Sequence, residues 1–167
     1  MSQYKKKQAQ PARPVQKPVA AAPAHIASAP AQAKPTSPSA PLRSMDQERA
    51  EFALRKIEAT LQCEHKMQAE VRRYLNNLPA LIRINGLGQA LAFFRMKDAG
   101  SGHRHIYNMV GAWLCEANSA GRVFHENPDV LTAITKSDMQ HYMAAQNESL
   151  ALLEWLKKFA IALLPKE

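Results

Sequence analysis

Residues Leu78 to Phe94, Leu-Pro-Ala-Leu-Ile-Arg-Ile-Asn-Gly-Leu-Gly-Gln-Ala-Leu-Ala-Phe-Phe, constrain the fold more than any other stretch. They read as two helical segments joined at a glycine-punctuated corner, with no catalytic side chain at the corner. Leu78, Leu81 and Ile82 lie at helical spacing, and Asn85-Gly86 supplies a stop, since glycine tolerates the left-handed backbone that closes a helix. Leu87, Ala90, Leu91 and Phe94 restart the apolar stripe at once. A corner this apolar is made for packing helices together. It points to a structural or binding protein before an enzyme.

The same periodicity recurs on both sides. Ser44-Met-Asp-Gln47 has capping-box spacing, and Ala50, Ala53, Leu54, Ile57 and Leu61 then form one apolar face. Val71, Tyr74, Leu75 and Leu78 make a second segment whose stripe continues in phase to Ile82. Pro79 removes one backbone donor there, but the unbroken phase predicts a kinked helix, not an end. After the Leu87–Met96 helix, Gly100-Ser-Gly102 reads as a loop. Ile106, Met109, Val110, Trp113 and Leu114 give a core helix. Asn127-Pro128-Asp129 supplies an N-cap, a proline at the first helical position and an acid near the positive end, opening a short helix to about Lys136. Ser137-Asp-Met-Gln140 is another capping-box match and opens a helix lasting to about Leu164. No alternating strand pattern appears. The predicted class is all-α, a single compact bundle of five to six helices with a long C-terminal helix.

Composition sets the limits of that bundle. Residues 1–43 hold eight of the eleven prolines, no acidic residue, and Lys5, Lys6, Lys7, Arg13, Lys17, Lys34 and Arg43, so they carry +7 of the total +8. Residues 44–167 have fifteen Lys and Arg against fourteen Asp and Glu, a net of +1. The high pI is therefore a property of the tail, and a globally basic folded face is not implied. The tail has too little apolar surface to offset its ordering entropy, and its prolines forbid a long helix. It is expected to be disordered, with extended polyproline-like pieces. It reads as a tethering or solubilising arm, or as a basic arm that touches RNA phosphates. Removing residues 1–43 is expected to leave helix content and cooperative melting intact.

Prolines at 11, 14, 18, 23 and 30 break the amphipathic helix a transit peptide needs, and no apolar block follows the lysine run as in a secretory signal. The C-terminal run Leu150–Leu164 contains Glu154, Lys157 and Lys158, so it is not membrane-spanning. The expected location is cytoplasmic. Residues 44–167 are long enough for one domain with its own core. Cys63 and Cys115, both within helical patterns, are expected to be reduced thiols used as small apolar groups.

In the last helix Tyr142, Ala145, Ser149, Leu152, Leu156, Phe159 and Leu163 step alternately by three and four. Leu153, Ala160 and Leu164 widen that seam beyond a coiled-coil stripe, which predicts a core helix of a bundle. Trp155 beside Lys157 and Lys158 could stack a base or pair with phosphates. The plainer alternative has Trp155 filling a neighbouring groove while Glu154 and Lys158 pair four residues apart.

No enzyme site assembles from the sequence. His103-Arg-His105 could share a metal if extended, but no partner ligands stand at usual spacings. Cys63 and His65, two apart on a predicted helix, point to different faces. His125 and His141 are isolated. A metal-free ribonuclease using His103 or His105 as general base needs a paired acid that the sequence does not nominate. Asn85-Gly-Leu-Gly88 is too short for a phosphate loop and has no strand before it; its glycines are better read as a helix stop and a close-packing position. No catalytic residue, cofactor or metal is expected.

Two motifs carry a family likeness. Leu78-Pro, Asn85-Gly-Leu and the Ala92-Phe pair form the first, and Trp155-Leu-Lys-Lys-Phe-Ala160 the second. With Arg49-Ala50 and Lys97 in the expected places, the chain resembles the small helical subunit of the type III-B CRISPR effector, the RAMP-module or Cmr complex, fifth in the Cmr naming series. The likeness runs from about 46 to 164. The long tail departs from that family's usual short N-terminus, so nothing about the tail follows from it.

The resemblance implies a non-catalytic building block of an RNA-guided, RNA-targeting antiviral complex. Such subunits stack on neighbouring copies of themselves along a filament of backbone subunits and help hold CRISPR RNA and target RNA. Target cleavage belongs to the backbone subunit and cyclic-oligonucleotide synthesis to the large one. RNA contact is expected from Arg49, Lys56, Arg83, Lys97, Lys157 and Lys158. Arg49 and Lys56 are seven apart and share a helix face, while Arg83 and Lys97 bracket the corner. Many surface lysines and arginines are merely solvated, but phosphate neutralisation accumulates across a group. The competing readings are a helical adaptor that binds only protein and a small helical ribonuclease.

Overall fold

The computed structural model describes residues 43–125 and 129–166; the expectations for the tail lie outside these, apart from Arg43. Six helices follow in order: α1 (Met45–Thr60), α2 (His65–Asn85), α3 (Leu87–Arg95), α4 (Gly102–Cys115), α5 (Val130–Lys136) and α6 (Met139–Leu163). The described residues contain no strand. The all-α class and the long final helix are as expected.

Local chemistry explains most boundaries. At α1 the Ser44 hydroxyl accepts from Gln47 N at 3.2 Å, and Gln47 Oε1 accepts from Ser44 N at 2.8 Å, a complete capping box. Helix α2 continues through Pro79 without a break. It stops at Gly86, whose φ of +80° is a conformation side chains rarely adopt. A Cβ there would also sit 2.7 Å from the Tyr142 hydroxyl oxygen. Gly88 is less constrained, since an added Cβ would meet Ile134 at an ordinary 3.4 Å. Because α3 begins immediately, its first N–H groups need outside acceptors. Leu87 N donates to Gln146 Oε1 at 3.0 Å and Gly88 N to the Tyr142 hydroxyl at 3.4 Å. The corner is thus capped by α6.

Other boundaries shift from the sequence reading. Gly102 is the first residue of α4, capped by Ser101, so His103 and His105 are helical and not extended. Helix α5 begins at Val130 with Asp129 as N-cap, its carboxylate accepting from Thr132 N; Asn127 and Pro128 lie outside the described residues. Asp138, not Ser137, caps α6, accepting from His141 N at 2.9 Å. The Ser137 hydroxyl instead donates back to Ile134 O, at the end of α5. Cys63 falls in the turn between α1 and α2, while Cys115 ends α4 and is buried; both are free thiols.

Helices α2 and α6 form the centre. α6 packs on both α1 and α2, and α2 also packs on α3 and α4. Leu75, Leu78, Ile82, Leu87, Leu91, Ile106, Leu114, Leu152, Leu153 and Leu156 are fully buried. The core face of α1 is Phe52, Ala53, Ile57 and Thr60, rotated from the expected one, with Leu61 left 39% exposed. At the end of α6 the expected Leu163 is exposed, while Leu164 is buried as expected. The chain leaves the helix at Leu164 with extended backbone, which turns that side chain inward. Ser149 is buried with its polar atom satisfied, because its hydroxyl donates to Ala145 O at 2.7 Å.

Candidate nucleic-acid interface

The apolar stripe of α2 faces inward, so the residues between stripe positions face out. Arg72, Arg73 and Asn76 come to the surface beside the last turns of α6. With Ala69, Ile161 and Lys166 they line a groove of about 300 Å³, and no carboxylate is among its described lining residues. Arg72 closes the C-terminus of α6: its Nη1 donates to Ile161 O at 3.0 Å and also to Leu164 O. Further along the seam Arg83 stands 3.8 Å from Glu154 and is 60% exposed. Lys157 lies three residues after Glu154 and four before Ile161, on the same face of α6. Among the described residues the α2–α6 seam therefore carries Arg72, Arg83, Lys157 and Lys166, with Arg73 beside them, and the acid Glu154.

The six expected residues are not brought together. Arg83 and Lys157 share the seam. Lys158, one residue on, turns the other way: its amine lies 5.1 Å over the Trp155 ring, and the Trp155 indole N–H donates to Asp46 at the start of α1. Trp155 is half-buried and stacks on Phe159, as the plainer reading had it. Glu154, however, reaches across to Arg83 instead of pairing with Lys158 as that reading supposed.

Arg49 and Lys56 do share a face of α1, but its surroundings are acidic. Arg49 donates to both oxygens of Glu148, at 2.8 and 2.7 Å, and Trp113 Nε1 donates to the same carboxylate at 2.9 Å. Burial alone would raise the Glu148 pKa; the Arg49 bond and charge and the Trp113 N–H together hold it below its ordinary value. Lys56 lies over the Phe52 ring in a cleft also lined by Glu48, Glu51 and Glu116.

Lys97 occupies a third place, 5.0 Å over the exposed ring of Phe93. Arg72, Arg73 and Lys166 were missed by sequence reasoning. The signal existed for Arg73, since Arg73, Asn76, Ala80 and Arg83 repeat by three and four opposite the stripe of α2.

The histidines find other uses. His103 packs against Tyr74 with ring centroids 3.6 Å apart, and against Phe94 at 4.9 Å. Burial, then the charges of Lys97 and Arg73, lower its pKa against the opposing pull of Glu70. The Thr60 hydroxyl donates to Lys56 O, so at 3.0 Å it accepts from His105 Nε2, which fixes that tautomer. Burial and Lys56 lower the His105 pKa. His125 and His141 line one cleft of about 460 Å³ instead of lying apart, but Asp138 there is occupied as the N-cap of α6. The Cys115 thiol is pushed up to about 11 by burial, leaving it unreactive at neutral pH. Among the described residues no three His, Cys, Asp or Glu side chains are placed to hold a metal. No helix among them is long and apolar enough to cross a membrane.

Residues 45–163 match the family described as CRISPR-associated protein (Cas_Cmr5). Among solved structures, the fold is similar to the X-ray structure of a CRISPR-associated Cmr5 family protein from Thermus thermophilus, with a TM-score of 0.61 and 28% sequence identity. That likeness covers 74% of this chain and 100% of the Thermus chain.

Proposed function

This chain belongs to the Cmr5 family of CRISPR-associated proteins, and on that premise we propose that it is the non-catalytic small subunit of a type III-B RNA-guided effector complex, working in the cytoplasm in antiviral defence. It stacks with copies of itself along the backbone subunits and turns the α2–α6 seam toward guide and target RNA. The observation that carries the RNA half of this reading is the run of Arg72, Arg83, Lys157 and Lys166 along the seam, where the carboxylate among the described residues is that of Glu154. A surface of this kind attracts a phosphate backbone and reads charge and shape, not base sequence. Lys97 extends it; Arg49, Lys56 and Lys158, placed elsewhere, contribute less.

Reconstituted effector complex titrated with target RNA over a salt series tests the proposal. The R83A/K157A pair should weaken binding and flatten the dependence of log K on log salt by roughly 1 to 2. An unchanged slope would favour an adaptor that binds only protein. Turnover of labelled RNA by the full-length subunit alone would replace the non-catalytic reading with a small helical ribonuclease.

A further inference from the structure

Helices α2, α3 and α4 meet at a group of rings that runs from the core out to the surface. Phe94 is 3% exposed and belongs to the core, but its neighbour Phe93 is 43% exposed. The Phe93 ring is 5.7 Å from that of His103, nearly perpendicular to it, and His103 in turn lies on Tyr74. Cations flank the rings. The Arg73 guanidinium lies 4.8 Å over Tyr74, and the Lys97 amine 5.0 Å over Phe93. Arg73 also lines the seam groove with Arg72 and Asn76, so the rings continue the cationic seam directly. Beside them Met96, at the end of α3, is 74% exposed.

We propose that the Tyr74–Phe93–His103 cluster is a stacking site for one unpaired base of a single-stranded RNA whose phosphates follow the α2–α6 seam. The proposal rests on the RNA reading of the seam given above. Base stacking on aromatic rings beside a backbone-tracking cationic groove is the usual way single strands are held without sequence preference, because every base has a π-face. A base entering on Phe93 displaces the Lys97 amine, whose flexible stem lets it move to the adjoining phosphate. Burial, then Lys97 and Arg73, lower the His103 pKa against the pull of Glu70, which favours the uncharged ring as a stacking surface. The cluster mixes residues of three helices with cations on both sides. That suits a flat, anion-bearing ligand better than an apolar protein face, which would leave the Lys97 amine over Phe93 desolvated.

The test uses the full-length chain with two single strands of equal length, an oligouridylate and its abasic counterpart, at several salt concentrations. Wild type should bind the base-bearing strand about fivefold or more tightly than the abasic one. Phe93→Leu keeps an apolar side chain at an exposed position but removes the ring; it should bring that ratio close to one without changing the salt slope. Phe93→Trp should preserve or raise the ratio. The R83A/K157A pair should weaken both strands alike and leave the ratio intact. Equal binding of the two strands by wild type, with a normal salt slope, overturns the stacking site while the seam reading stands. A ratio that survives Phe93→Leu overturns it too. Failure to bind either strand at low salt overturns both.

Discussion

The two flanks of α6 use the same kind of side chain in opposite ways. On the α1 side, Arg49 is 18% exposed and locked onto Glu148, which is 15% exposed and also accepts from Trp113. On the α2 side, Arg83 is 60% exposed and meets Glu154 only at 3.8 Å. The first pair is fixed by three hydrogen bonds in a site that water hardly reaches; the second is a loose surface contact. A guanidinium becomes part of the fold where packing confines it opposite a carboxylate. It stays open to a ligand where its carboxylate contact is long and both side chains are exposed, as at Arg83.

Stability measurements can break this comparison. The largest effect is expected from Glu148→Ala, which leaves the Trp113 N–H without its acceptor and the Arg49 charge with only the 3.9 Å contact to Asp46; about 3 kcal/mol should be lost in urea unfolding. A loss no larger than that of an exposed pair would erase the difference between the two flanks. Gly121→Ala comes next. Its Cβ would lie 2.0 Å from Trp113 Nε1, so the indole must move from Glu148, and about 2 kcal/mol is expected by the same assay. The substitution should destabilise Glu148→Ala much less, because the bond it disturbs is already gone.

Acid sharpens the contrast further. His103 and His105 have folded pKa values below the ordinary 6.5, so the unfolded chain takes up protons first and stability falls as pH drops through that value. Glu148 and Asp129 have folded values below their ordinary ones. For Asp129 the Tyr107 hydroxyl bond is the main cause. Their contribution is full above the ordinary carboxylate pKa and is lost as pH falls through the depressed folded values. Melting temperature should therefore decline in two stages, and His103→Phe should shrink the upper stage only. The smallest effect belongs to the seam: R83A/K157A should change unfolding free energy by less than about 0.5 kcal/mol while altering the salt dependence of RNA binding.

Much of the fold was legible because helices are written locally. The stripe of α2 runs in phase through Pro79, and the stop at Gly86 and the restart at Leu87 each depend on a few adjacent residues. The errors at this level were short-range competitions. Asp138 prevailed over Ser137 as the cap of α6 because Ser137 was already bonded to the turn before it. Phe52 displaced Leu54 and Leu61 from the core face of α1 because its ring packs on Trp113, 4.8 Å away between centroids. The second of these already depends on a distant residue.

Helical class, corner and family likeness were thus determined by sequence alone, since apolar periodicity and caps act within one or two turns. Which cations are held and which face outward was decided by tertiary structure. Arg49 meets a carboxylate 99 positions away, Arg72 meets carbonyls 89 and 92 positions away, and the rings around Phe93 converge from three helices. A charge reads the same in sequence wherever it lies. Its partner, its desolvation and hence its use are set only when α1, α2 and α6 pack side by side.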